Sequence, residues 1–199
     1  MSKKIYIVGY NGNMARRYRA CLNYLGIEHC GVDLGGFESG VIADCDGIII
    51  ATPTENHIKM IDRYAAFKLP ILCEKAISKV DFELPDINLQ MVNQYEHCGP
   101  FPGGPTYYNC WNTGRDGLAW DCINIIGLAD SMPQIENTSP IWKCMINGKE
   151  LSLNDVDNGY VKMIDSWVKN PKPNIDYIKK AHQKVKDYIN ETGCNRHTS

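Results

Sequence analysis

The sequence predicts an α/β protein, with a doubly wound parallel sheet over residues 1–96 and a reduced α+β portion over residues 97–199. Three observations carry this. Short, continuously apolar runs of β-forming residues recur in the first half, as in parallel strands buried on both faces. Stretches with apolar residues at helical spacing separate them. After residue 96 the alternation stops, and "EHCGPFPGGPTYYNCWNTGR" (96–115) brings three prolines, four glycines and an aromatic-rich extended piece.

The elements follow in order. "KIYIVG" (4–9) is the first strand. "NMARRYRACLNYLG" (13–26) places Met14, Tyr18, Cys21, Leu22 and Leu25 on one helix face, and Gly26 stops it. "IEHCGVD" (27–33) is a second strand ending at Asp33, and "LGGFESGVIADC" (34–45) a glycine-rich connection with helical promise for one turn only. "DGIIIAT" (46–52) is the third strand, and "PTENHIKMIDRYAAFKL" (53–69) opens with proline and ends as a helix. "PILCEK" (70–75) and "INLQMVNQY" (87–95) supply the fourth and fifth strands. Strands alternating with helices in this way argue for a parallel, doubly wound sheet.

In the second portion "TYYNCW" (106–111) reads as extended and "DGLAWDCINIIGLAD" (116–130) as one buried helix. "IWKCMINGKEL" (141–151) reads as a strand and turn, and "NDVDNGYVKMIDSWVKN" (154–170) as an amphipathic helix. The last helix, 174–191, starts after Pro173 and stops at Gly193. Its apolar face of Ile175, Ile178, Ala181, Val185, Tyr188 and Ile189 requires a partner, expected on the first portion or its junction.

Composition narrows the function classes. Apolar residues at 44% and charged residues at 22% suit one globular chain of 199 residues. A net charge of −2 lacks the basic footprint of nucleic-acid or anionic-membrane partners. The lysines of 172–196 alternate with Asp176, Asp187 and Glu191, as on a solvated helix face. Nine cysteines at irregular spacing, with no C-x-x-C pair, suggest neither zinc nor a disulfide framework, and no metal site is expected. They read as small buried hydrophobes in a reducing cytoplasm. The apolar stretch after Lys3-Lys4 meets Gly9 after only a few residues, so it reads as a strand and not a signal peptide, and no run has the length of a membrane span.

The first strand-to-helix turn is Gly9-Tyr10-Asn11-Gly12-Asn13-Met14-Ala15, or G-x-x-G-x-x-A. In a dinucleotide fingerprint Gly9 permits the sharp exit from the strand and Gly12 lets backbone approach the pyrophosphate. Ala15 lets helix and sheet pack closely. Asn11 tolerates unusual backbone angles, and the N–H groups at the helix start, at Asn13 and Met14, face where phosphate would lie. The spacing has one residue more between its first glycines than the commonest form, so a plain tight turn is the competing reading. Asp33 favours the dinucleotide reading, unless it is simply a polar strand end: it stands 21 residues past Gly12, where an acid binds ribose hydroxyls. An aspartate there repels a 2′-phosphate and favours NAD over NADP, while Arg16 and Arg17 keep NADP open.

Two further segments resemble a known family. "IIIATPTENH" (48–57) and "ILCEKAIS" (71–78) are similar to the T-P-x-x-x-H and E-K-P stretches of the Gfo/Idh/MocA oxidoreductases. Thr52, Pro53 and His57 match the first; Glu74 and Lys75 match the second, with Ala76 in place of proline. "MVNQYEHCGP" (91–100) and "WNTGRDGLAWDCINIIG" (111–127) look like the following strand and glycine-rich helix. The resemblance implies a Rossmann domain and a cofactor site of Gly9, Asn11, Gly12, Asn13, Met14, Asp33, Thr52, Pro53, His57, Glu74 and Lys75. It implies that Lys75 contacts the substrate hydroxyl and nicotinamide ribose, and acts in proton transfer. His57 stands beside the cofactor or serves as a cap or core residue.

The departures are as informative. The family helix carries D-x-x-x-H; Asp121 matches the aspartate, but Ile125 occupies the histidine position. Asp121 then reads as a polar substrate contact, and His97 as another source of an imidazole. Tyr107, Tyr108, Trp111 and Trp120 line a pocket or simply pack. The chain is shorter than the family's usual length, which curtails the sheet that forms its substrate wall and oligomer interface and leaves a homo-oligomer open. Two functions follow. The first is an NAD(P)-dependent oxidoreductase moving hydride between nicotinamide and a hydroxyl or carbonyl of a small polar, sugar-like substrate. The second is a non-catalytic dinucleotide- or nucleotide-binding module.

Overall fold

The computed structural model describes residues 3–33, 39–109, 118–137 and 141–193. Five strands form the first sheet: β1 (Lys4–Val8), β2 (Glu28–Val32), β3 (Gly47–Ile50), β4 (Ile71–Cys73) and β5 (Leu89–Met91). Their order is β2-β1-β3-β4-β5, and every neighbouring pair is parallel. The apolar runs are explained by this placement: Ile5–Val8, Ile48–Ile50 and Ile71–Cys73 are all buried. The sheet is the doubly wound Rossmann type that the alternation predicts.

Between the strands run α1 (Asn13–Tyr24), the single turn α2 (Ser39–Ala43) and α3 (His57–Ala65), the last preceded by a 3₁₀ turn at Thr54–Asn56. Helix α1 buries Ala15, Tyr18, Cys21 and Leu22; Tyr18, Cys21 and Leu22 are on the face read from the sequence, whereas Met14 and Leu25 are half-buried and Ala15 takes the place at the sheet. It ends at Gly26, whose φ of +68° suits a residue without a Cβ. The chain leaves β1 towards β2 and returns on the other side to β3. The strand order therefore reverses between β1 and β3, the switch point at whose carboxyl side open α/β sheets generally take their ligands.

The chain divides into two compact units. The first comprises residues 1–92 with 160–175; the second comprises 93–159 with 176–199. Within the first, the C-terminal half of α6 (Leu153–Lys169) supplies Trp167, which is 2% exposed. A Cβ added at Gly47 would lie 2.8 Å from its Cη2, so glycine is what lets the indole lie against β3. The chain beyond that helix closes the edge of β5. Asn174 accepts from Met91 N–H at 2.8 Å, donates Nδ2 to Met91 O at 3.1 Å, and donates its own N–H to Leu89 O at 3.1 Å.

The second unit holds a four-stranded sheet in the order β7-β6-β8-β9. These are β6 (Tyr107–Asn109), β7 (Gln134–Glu136), β8 (Lys143–Ile146) and β9 (Lys149–Leu151). β6 runs parallel to β7, while β6–β8 and β8–β9 are antiparallel. Asn147 (φ +45°) and Gly148 (φ +80°) make the tight hairpin between β8 and β9. The expected single helix over 116–130 is instead two pieces, α4 (Leu118–Asp121) and α5 (Ile123–Leu128). They part at Cys122, whose ψ of 12° leaves the helical range, and whose carbonyl then accepts from both Ile125 and Ile126. The last helix, α7 (Ile175–Thr192), lays Ala181 against Gly127 of α5; Lys184 donates to Ala129 O at 2.5 Å, closing the end of α5. Among the described residues no helix is long and apolar enough to cross a membrane.

Candidate functional site

The carboxyl ends of β1, β2, β3 and β4 carry one group of the predicted residues, all in the first unit. Gly9 has φ +86°, and a Cβ there would lie 2.7 Å from Ala51 O, so the turn is pressed onto the end of β3. Gly9 and Tyr10 both donate to Val32 O, at 2.8 and 3.2 Å, and Gly12 donates to Gly9 O at 2.9 Å. Gly12 then caps α1 with extended backbone (φ −67°, ψ 162°), no side-chain cap and no acid in the first turn. The N–H groups at Asn13 and Met14 thus begin a helix whose positive end carries no side-chain acceptor. A Cβ at Gly12 would lie 3.1 Å from Gly9 O.

Asp33 stands at the end of β2 and turns to this loop. Its Oδ1 accepts the Asn11 backbone N–H at 2.9 Å, and its Oδ2 accepts from the Asn11 side-chain amide. The carboxylate is exposed and keeps lone pairs beyond those two bonds. Asn11 therefore acts as the staple between the turn and the acid, a pairing that spacing alone did not reveal. Arg16 donates to Asn13 Oδ1, and Arg17 lies 4.8 Å over the Tyr160 ring.

The loops after β3 and β4 are tied to each other by His57. The ring is fully buried, with Nδ1 2.6 Å from Ala76 O and Nε2 2.7 Å from Thr52 O. Both neighbours are acceptors; a neutral ring supplies one of the two N–H groups and a protonated ring both. Its contacts are those of a core tie that sets the spacing between the Thr52-Pro53 and Glu74-Lys75 loops. Pro53 is exposed, whereas Thr52 is buried and its Oγ1 meets no hydrogen-bond partner among the described residues.

Glu74 is 5% exposed and follows β4 directly. It accepts from the Tyr18 hydroxyl of α1 and, through Oε2, from Lys75 N–H at 3.1 Å. Burial first, and then the Glu74 carboxylate, push the Tyr18 phenol well above its ordinary value, so it stays a donor. Tyr160 packs edge-on to Tyr18 with ring centroids 6.2 Å apart, and its phenol too is raised by burial first and then by Glu74. Lys75 is half-buried, and the Lys75–Ala76 peptide bond is cis. Tyr18 and Tyr160 escaped the sequence reading; the helical face containing Tyr18 was legible, its polar partner was not.

The remaining candidates belong to the second unit. His97 lies half-buried in the 3₁₀ turn Gln94–Cys98. Asp121 is the last residue of α4 and half-buried, and Ile125 is buried in α5. Tyr107 and Tyr108 lie on β6, Trp120 packs on His182 with centroids 5.8 Å apart, and Trp111 falls outside the described residues.

A five-stranded parallel sheet with a glycine turn at its switch point defines the class: a Rossmann-type α/β fold. Its likeness among solved structures runs over nearly the whole chain. A myo-inositol dehydrogenase from Corynebacterium glutamicum superposes with a TM-score of 0.65 at 11% identity, over 97% of this chain and 98% of that one. The dehydrogenase MviM from Clostridium difficile gives 0.66 at 14% identity, over 96% and 100%. The WlbA dehydrogenase from Thermus thermophilus, solved with NAD and UDP-GlcNAcA, gives 0.62 at 12% identity, over 96% and 95%. A structure described as a Gfo/Idh/MocA family oxidoreductase, from Vibrio cholerae, is matched as well, so the chain has the fold of those dehydrogenases. No family model and no curated protein sequence matches the chain.

Proposed function

We propose that the chain is an oxidoreductase related to the Gfo/Idh/MocA dehydrogenases, binding NAD in preference to NADP and acting on a hydroxyl or carbonyl of a small polar, sugar-like molecule. The observation that carries this reading is the conjunction of the glycine turn, Asp33, Thr52 and Glu74-Lys75 at the carboxyl ends of neighbouring parallel strands. The residues fit a dinucleotide. Side chains at Gly9 and Gly12 would crowd the turn, and the buried Thr52 Oγ1 is a donor without a protein partner among the described residues. WlbA, of the same fold, was solved with NAD and a sugar nucleotide.

In this reading the α1 N-terminus holds the pyrophosphate and Asp33 binds the adenosine ribose while disfavouring a 2′-phosphate. Thr52 and Pro53 flank the cofactor, with His57 fixing their loop. The nicotinamide, when bound, supplies the hydride chemistry. Lys75 holds or releases the proton of the reacting hydroxyl at Nζ, a task worth about 10²–10⁴-fold in rate. His97 and Asp121 are the second unit's candidates for proton exchange and substrate contact. Ile125, buried and apolar, exchanges no proton, which is what favours the second reading, a dinucleotide-binding module without turnover.

Calorimetry and NADH oxidation together test both. NADH should bind the wild-type protein, and Gly12→Val should weaken it by about tenfold or more, equivalent to about 1.4 kcal/mol. Unchanged affinity in that variant overturns the site. A panel of inositols, sugars, amino-sugar nucleotides and small oxo acids should contain a compound whose turnover falls about a hundredfold in Lys75→Ala. Intact NADH binding with no turnover on any of them selects the module.

A further inference from the structure

Cys30 and Cys45 meet inside the first unit. Their Sγ atoms lie 3.9 Å apart, and the Cys45 thiol also donates to Val41 O at 3.3 Å. Among the described residues every other cysteine is buried, whereas Cys30 is half-buried and open to solvent. Both sulfurs hang from backbone that is held in place. Cys30 stands opposite Tyr6 in the β1–β2 register. Cys45 donates its N–H to Ile42 O at 3.0 Å, closing the turn after α2, and the next residue, Asp46, donates to Lys4 O at 2.8 Å. The strand they flank is the least enclosed of its sheet. β2 is an edge strand paired with β1 alone, and none of its residues is fully buried.

We propose that Cys30 and Cys45 are a redox site, converted reversibly by a low-molecular-weight disulfide into a disulfide that clamps edge strand β2 to the chain entering β3. A bond of about 2.05 Å asks the sulfurs to approach by about 1.9 Å more. Rotation of the two side chains about their Cα–Cβ bonds supplies a movement of that size. An edge strand held on one side is among the first parts of a sheet to open, so a covalent tie there acts where the fold is weakest.

With glutathione disulfide as the oxidant, the exchange takes two steps. Cys30, as its thiolate, attacks one sulfur; a bond forms to Cys30, the glutathione S–S bond breaks, and one glutathione leaves as a thiolate and takes up a proton. Cys45, as its thiolate, then attacks the Cys30 sulfur, and the second glutathione leaves in the same way. The protein gives up two electrons and two protons, which end on two molecules of glutathione. Environment fixes this order. Burial first, and then Cys30 beside it, push the Cys45 thiol up to about 12, with Lys4 and Asp44 acting on it in opposite senses. Cys45 therefore stays protonated at neutral pH, the accessible Cys30 meets the oxidant, and closure is the slower step, quickening as pH rises.

The test equilibrates the folded, full-length protein with mixtures of glutathione and glutathione disulfide, then alkylates the remaining thiols. Cleavage after glutamate puts the two cysteines on separate peptides, 29–38 and 39–55, so mass spectrometry reads the bond directly. The two peptides should appear linked, and dithiothreitol should part them. The oxidised protein should melt about 5–10 °C above the reduced one, because the bond restrains the unfolded chain between residues 15 apart. Cys30→Ser should lose both effects, and Cys45→Ser should retain glutathione on Cys30. Should Cys45→Ser fail to melt cooperatively, Cys45→Ala replaces it. Glutathione held on Cys30 of the wild type without a linked pair overturns the proposal. So does a wild type in which neither cysteine is oxidised, or in which either is linked chiefly to a third. A linked pair that melts no higher than the reduced protein overturns the clamp.

Discussion

His29 shows how much of this protein's chemistry lies in single contacts. It sits half-buried on β2, with the Tyr10 hydroxyl 3.1 Å from Nδ1 and Asn23 Oδ1 3.1 Å from Nε2. The neutral ring protonated on Nε2 satisfies both: Tyr10 donates to Nδ1, and Nε2–H donates to Asn23. Burial first, and then the Arg19 guanidinium, lower its pKa from 6.5. The unfolded chain therefore binds more protons than the folded one just below pH 6.5, and the contribution of His29 is present above that pH and lost as pH falls through the folded value. The melting temperature should drop between pH 7.5 and pH 5, and His29→Gln should flatten that drop when thermal unfolding is followed by circular dichroism. Parallel pH dependences in the two proteins would remove His29 from the account. The places of Gly9, Gly12, Asp33, Thr52 and Glu74 at the strand ends were legible because apolar strand runs and the residues that follow them mark out each βα unit. Their partners were not. Asn11 on Asp33, Tyr18 on Glu74 and the two carbonyls on His57 are made between residues separated by 5 to 56 positions, and no local pattern encodes such pairings.

At the scale of elements, strands were the most legible because burial on both faces leaves an unbroken apolar run, as in Ile48–Ile50. The α4/α5 break was invisible for the converse reason: "LAWDCINIIGL" keeps its apolar residues on both sides of Cys122, and nothing in their identity marks the change of ψ. Packing of helix on strand was equally hidden. Gly47 looks like a strand-opening residue, yet its missing Cβ is what admits Trp167. Gly47→Ala should force the buried indole to shift and destabilise the protein by about 1–3 kcal/mol, the usual cost of overpacking. Pairing it with Trp167→Phe, whose smaller ring frees that space, should reduce the penalty of the alanine. Chemical denaturation of the four proteins in the cycle measures this, and strictly additive losses would show that the two residues do not meet.

The whole molecule is organised differently from its sequence. Residues 160–175 complete the first unit although the second unit's residues 93–159 precede them in the chain. They supply Tyr160 beside Tyr18, Trp167 against Gly47 and Asn174 on the edge of β5. We therefore expect a fragment of residues 1–96, the portion that composition marks off, to lack a cooperative thermal transition and to bind no NADH. A single-chain version joining residue 92 to residue 160 through a short glycine-serine linker should regain the transition. Cooperative melting of 1–96 alone would show that the later segment is dispensable. The same discontinuity sets a timetable when a ribosome makes the chain. At about 5–20 residues per second, roughly 4 to 17 s separate the emergence of β5 from that of Trp167 and Asn174, which cover Gly47 and the β5 edge. A nascent chain carries its glycine turn and all five parallel strands through that interval with an uncovered face, which is when a chaperone has most to protect.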